Sequence, residues 1–371
     1  MKIGTDQYNT FDTMTMDCWN DRVYYEGKEF PAGHFATEIL NFAGVIHDPL
    51  LERITVLTAL VDDLSTAEKS KRHDIAAQLK PLLHDTVSWL YTCPPFCYCE
   101  SQGAYEDLEH ALSEERLDRD YEEGEAHLPY LALSFCEPIL RILVAIYNFC
   151  LLIRAFEKKY LRRAKRRNAD AFAKAAHECF DEDDSFLILL EQMPFGGVEE
   201  FFSYPRVITG FNYFQDENNE EKWKTAQRVI CKRAIDFYVF DLMNGLHHGY
   251  APSQCQGCGR YFLTINGHIP KYCDGIAPQD NRYTCRQYGA MMHQKEQNKQ
   301  HPVYRLFNTR TDTIRKHHWR GKISDELRQE ALCLAGNYRD KALMNNDYAA
   351  DGYARDMELE HIYAEAEKRL K

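Results

Sequence analysis

The sequence predicts a mainly α fold: a helical-bundle body with a small treble-clef-like four-cysteine zinc module, β-hairpin plus helix, in its C-terminal third. Three observations predict it. Leu50, Ile54, Leu57, Leu60, Val61 and Leu64 recur at three- and four-residue spacings, which sets them on one helix face. Residues 137–157 are almost wholly apolar, yet Arg141 and Arg154 bracket the run too tightly for a membrane span of about 20 residues, so a buried core helix is expected and no membrane contact. Cys255, Cys258, Cys273 and Cys285 follow one another closely enough to share one metal ion.

The elements follow in order. Residues 1–45 mix aromatics and turn formers without clear periodicity. A helical pattern runs from Pro49 to Leu90 and stops at Pro94-Pro95, where neither ring nitrogen can donate a hydrogen bond. Residues 105–126 are very acidic and suit a solvated helix or loop. The core helix ends in Lys158–Arg167, seven basic residues in ten, read as the solvated end of that helix, where cations suit the helix dipole. Residues 194–220 look irregular or strand-like, with Phe201, Phe202, Tyr204, Phe211, Tyr213 and Phe214, and a polar turn follows at 216–221. An amphipathic helix is expected over 221–247, from Trp223, Ala226, Val229, Ile230, Ala234, Phe237, Tyr238 and Leu242. Beyond Cys285 come three helices, one over 286–318 broken at Pro302, one capped by Ser324, and one over 353–370. The chain thus divides into 1–220, acidic and mainly helical; 221–322, the amphipathic helix, zinc module and basic helices; and 323–371, C-terminal helices.

With 371 residues, 44% hydrophobic and 13% aromatic, the chain has ample material for a large core and is not a disordered one. Thirteen cysteines, odd in number and scattered, with no apolar leader after Met1-Lys2-Ile3-Gly4, point to a reducing cytoplasm. The net charge of −12 is uneven: residues 1–250 carry −16 and residues 251–322 carry +8. A basic module on an acidic body suits contact with DNA or RNA, and equally with an acidic protein surface, the chain's own or a partner's.

In the module, Cys255-Gln256-Gly257-Cys258-Gly259 has the form of a zinc knuckle, two thiolates on a tight turn before a glycine. Tyr261–Thr264, a turn at 265–268 and Lys271-Tyr272 read as a hairpin delivering Cys273. Cys285 falls at a helix start, where the dipole favours a thiolate. Four sulfurs make a closed shell, so the Zn²⁺ is structural and has no open position for water. His268 and His293 are the nearest substitutes should Cys273 or Cys285 not ligate.

Cys255-x2-Cys258-Gly259-Arg260-Tyr261-Phe262, Tyr272-Cys273-Asp274 and Thr284-Cys285-Arg286-Gln287-Tyr288-Gly289-Ala290 resemble an uncharacterised family of bacterial proteins, mostly from Firmicutes, over residues 225–345. A looser similarity is to CGNR-type zinc fingers of bacterial transcription regulators. Those end in Cys-Gly-Asn-Arg, where this chain has Cys285-Arg286-Gln287. The first resemblance implies no activity; the second implies DNA binding.

Around the cysteines, Arg260, Lys271, Arg286, Lys295, Lys299, Arg310, Arg315, Lys316 and Arg320 are the candidate nucleic-acid contacts, with Trp319, Tyr304 or Tyr288 available to stack bases. Cys93, Cys97 and Cys99 lack a fourth ligand nearby and read as buried or idle thiols. His247-His248, Glu199-Glu200 and the acidic run at 181–184 show no matched acid–base pair. No phosphate-binding glycine loop, nucleophile elbow or HExxH occurs. The expected function is therefore zinc-stabilised nucleic-acid binding or regulation. The alternatives are a protein-interaction module and, less well supported, an enzyme of nuclease or toxin type.

Overall fold

The structure, a computed structural model, describes residues 13–45, 47–118, 121–123, 126–128, 130–164, 166–184, 186, 188, 206–216, 219–265 and 270–370. Glu199, Glu200, Phe201, Phe202, Tyr204 and His268 lie outside them. The chain is mainly helical and forms two compact units, Met1–Cys273 and Asp274–Lys371.

The first unit opens with strands β1 (Met14–Trp19), β2 (Arg22–Tyr25) and β3 (Lys28–Pro31). Asn20 at φ 52° and Glu26-Gly27 at φ 46° and 70° make the two reversals. Such left-handed turns match the twist of paired strands. Helices α1 (His34–Val45), α2 (His47–Thr66), α3 (Lys69–Leu90), α4 (Gln102–Ala111) and α5 (Glu114–Leu117) follow. After the small β4 (Tyr121–Glu123) and β5 (Ala126–Leu128) comes α6 (Tyr130–Lys159), then α7 (Ala169–Phe180), β6 (Val207–Asp216), β7 (Asn219–Cys231), α8 (Ala234–His247), β8 (Ala251–Gln254) and β9 (Tyr261–Thr264).

Helix α6 is the core helix the apolar run predicts. Ile139, Ile142, Leu143, Ile146, Phe149, Ile153 and Phe156 are all buried at helical spacing. Among the described residues it is the one helix long and apolar enough to cross a membrane, and 67% of that window lies inside the fold. It packs against α1, α2 and α8.

The amphipathic helix expected over 221–247 begins only at Ala234; Asn219–Cys231 is a strand, paired with β6 and β1 in the five-stranded order β3-β2-β1-β7-β6. Met14 faces Cys231 and Met16 faces Val229 across the β1–β7 register, and all four are buried. Val229 and Ile230 are β-branched, and such side chains suit a pleated surface. Within the segment 1–45, without periodicity in sequence, the described residues form the three-stranded meander plus α1.

The second unit holds β10 (Ile276–Ala277), β11 (Asp280–Thr284), α9 (Cys285–Gln300), α10 (Pro302–Trp319), α11 (Asp325–Met344), the short α12 (Tyr353–Asp356) and α13 (Leu359–Leu370). Val303, Ile314, Leu334, Tyr353, Met357 and Ile362 build its own core. The break at Pro302 falls where expected, because proline serves as the first residue of α10. Ser324 Oγ accepts from Leu327 N at 3.2 Å, the expected cap.

Candidate metal centre

The knuckle is the loop of the β8–β9 hairpin. Ala251 pairs with Thr264 and Gln254 with Tyr261, so Cys255–Arg260 must reverse the chain between the strands. Cys255 N donates to Arg260 O at 2.8 Å and Gly259 N to Cys255 O at 2.9 Å. Gly259 sits at φ 76°, a left-handed conformation that glycine adopts without steric cost.

The hairpin differs from the expected one. Strand β9 pairs backwards with β8, and Lys271–Cys273 is not a strand. Residues 252–254 precede the knuckle directly and offer the nearer partner. Cys273 is instead brought in by Gln256 N, which donates to Lys271 O at 2.9 Å. A second hairpin, β10–β11, leads to Cys285, the first residue of α9. There Thr284 and Gln287 form a capping box, with Gln287 N to Thr284 Oγ1 at 3.2 Å and Thr284 N to Gln287 Oε1 at 3.0 Å. Cys285 N also donates to Gly275 O at 2.7 Å.

The Sγ atoms of Cys255, Cys258, Cys273 and Cys285 all lie within 4.8 Å of one another. Those of Cys258 and Cys273 are 3.6 Å apart, far beyond a disulfide bond. Four sulfurs at the ~2.3 Å bond length of a tetrahedral zinc site stand about 3.8 Å from each other, so the group fits a metal ion. Cys255, Cys273 and Cys285 are buried and Cys258 half-buried.

The protonation chemistry separates Cys255 from thiols elsewhere. Burial pushes Cys255 up, but N–H groups of Cys273, Cys258 and Gly257 outweigh it and bring the thiol to about 7. Cys273 N and Gly257 N each stand 3.3 Å from its sulfur. Cys136, Cys150 and Cys231, without such donors, are pushed by burial to about 12. A thiolate is the form a metal binds. Cys93 is buried, Cys99 half-buried and Cys97 exposed, and none joins a metal-ligating group among the described residues.

Arginines that sequence reasoning left in solvent hold the hairpin. Arg167, only 3% exposed, donates to Thr264 Oγ1 at 3.0 Å. Arg162 reaches Gln254 Oε1 at 3.2 Å while paired with buried Glu157. The run at 158–167 is therefore in part an internal brace rather than a solvated helix end. Asn41 on α1 clasps Tyr261 from both sides, its Nδ2 donating to the carbonyl at 3.0 Å and its Oδ1 accepting from the N–H at 2.6 Å. Only their distance from the cysteines in sequence hid these residues.

The predicted cations divide into groups. Arg260, Lys271, Lys295, Lys316 and Arg320 are exposed. Arg286 is exposed but paired with Asp274 at 3.0 Å, and Arg315 with Asp312 at 3.2 Å. Arg310 is half-buried, and its Nε lies in the interior without a hydrogen-bond partner; the side chain of Lys299 lies outside the described residues. His293 is exposed on α9. A cavity of about 580 Å³ lies on the outer sheet face, lined among others by Asp17, Glu26, Glu29, Lys224 and Arg228. Its Asp17 carboxylate is already taken up by Arg228, at 2.8 Å twice, and by Asn212 at 2.7 Å.

No curated protein and no solved structure matches the chain. Residues 203–369, which contain all four cysteines, match the model of DUF6076, a family of unknown function.

Proposed function

We propose that Cys255, Cys258, Cys273 and Cys285 hold one structural Zn²⁺ and that the module so fixed binds nucleic acid through exposed Lys and Arg side chains. The observation that carries the reading is the four-sulfur group beside the segment of charge +8. Four thiolates suit zinc and leave no open position, so the ion supplies geometry rather than chemistry. Lys271, Lys295, Lys316 and Arg320 supply sequence-independent attraction to phosphates. In this reading the acidic remainder serves as the partner-binding or sensing part of a cytoplasmic regulator.

Elemental analysis and the 260/280 nm ratio of the purified chain test this, alongside a Cys255→Ser/Cys258→Ser variant. The expected result is about one equivalent of zinc with salt-releasable nucleic acid, both lost in the variant. Zinc without nucleic acid, at any salt concentration, would move the reading to a protein-interaction module. A metal-free chain would end it.

A further inference from the structure

We infer that the C-terminal end of α10 is a stacking platform for single-stranded nucleic acid, with the Trp319 indole against an unpaired base and Arg315, Lys316 and Arg320 around its phosphates. The inference deepens the nucleic-acid reading above and rests on it. Trp319 is 85% exposed and belongs to neither hydrophobic core. Residues three and four apart are neighbours on a helix surface, so Lys316 and Arg315 flank the indole, and Arg320 follows it.

Other rings of this unit are already covered: Arg339 lies over Phe307 at 4.7 Å and Lys341 over Tyr348 at 4.0 Å. Among the described residues no ring or cation is stacked on Trp319. Tyr288 and Tyr304, the other stacking candidates, are half-buried, and Tyr304 meets the His301 ring at 5.8 Å. The platform is also held firmly. Arg320 N donates to Lys316 O at 3.0 Å, Gly321 N to His318 O at 2.8 Å and Lys322 N to His317 O at 2.9 Å. Gly321 at φ 68° then turns the chain away, leaving the indole at an end rather than in a groove. His317 and His318 are engaged by Tyr363 at 2.9 Å and Asp325 at 3.4 Å.

A flat, open ring between cations gains from a base whose face is free. In a duplex those faces are stacked on each other, so an indole on a convex helix end has nothing to meet. The occupant is therefore a single strand.

Fluorescence anisotropy of the full chain with a labelled oligothymidylate and with a duplex of equal length tests this, with indole emission followed in parallel. The wild-type chain should prefer the single strand and show quenched emission. Trp319→Ala should weaken single-strand binding about 5- to 100-fold, the worth of one base–aromatic stack, and remove the quenching, while Trp319→Phe retains most of the affinity. Circular dichroism checks that both variants fold. Equal affinity for strand and duplex, with Trp319→Ala unchanged but Lys316→Glu weakened, would sink the inference and leave the broader reading standing. No binding of either oligonucleotide at low salt would sink both. A response to anionic lipid vesicles alone would also overturn it.

Discussion

Asp241 carries more of this fold than its position in an apolar helix suggests. Fully buried on α8, it accepts from Gly33 N and Ala36 N at 2.9 Å each, and so caps the start of α1 from outside that helix. Burial drives its carboxyl up from 3.8 to about 7, against the N–H groups of Ala36, Gly33 and Phe35, which pull it down. The folded chain then holds this proton up to about pH 7 and the unfolded chain only to about 3.8. Folding takes up a proton between those values, so this group's stabilisation is complete below the lower one and is lost as pH rises through the upper. Urea denaturation across that window should show stability falling with pH, and Asp241→Asn, which does not titrate, should flatten the fall. Parallel pH profiles for the two proteins would refute the assignment.

At the scale of elements, helix α8 reaches the turn before α1 so closely that a side chain cannot fit. A Cβ on Gly245 would stand 2.8 Å from Gly33 Cα and 3.1 Å from Ala32 O, backbone atoms that do not swing aside. Gly245→Ala should cost about 1–3 kcal/mol, read as a lowered urea midpoint with unchanged slope; an unchanged midpoint would show that the two elements separate freely. The elements legible in sequence are those whose signals are local: α6 from its apolar run, α10 from Pro302, α11 from Ser324, and the knuckle from Cys-x2-Cys-Gly. Residues 221–231 were not legible, because Ala226, Val229 and Ile230 stand at i, i+3 and i+4, a helical spacing, and no alternation of apolar and polar residues marks the strand. The choice was made by β1 and β6, and no window around Val229 contains Met16. The centre divides the same way. Its four sulfurs follow from spacing, whereas Asn41, Arg162 and Arg167 reach the hairpin through the tertiary fold and leave no mark beside the cysteines.

For the whole molecule the net charge of −12 opposes any polyanion at long range, so the nucleic-acid binding proposed above requires short-ranged, local contacts. On single strands the logarithm of affinity falls with that of salt by about 0.7 per phosphate neutralised. Contacts from Arg315, Lys316 and Arg320 therefore predict a slope near −2, less steep by about 0.7 in Lys316→Ala. A slope indifferent to that change would place the contacts elsewhere on the chain. Asp17 and Arg228, joined across β1 and β7, are 211 positions apart, and β1 sits between β2 and β7. At about 5–20 residues per second of synthesis, β1 leaves the ribosome on the order of 10–40 s before β7 exists to receive it. For that interval the newborn meander presents a bare strand edge and the apolar side chains Met14 and Met16, which stay uncovered by β7 until that strand is made.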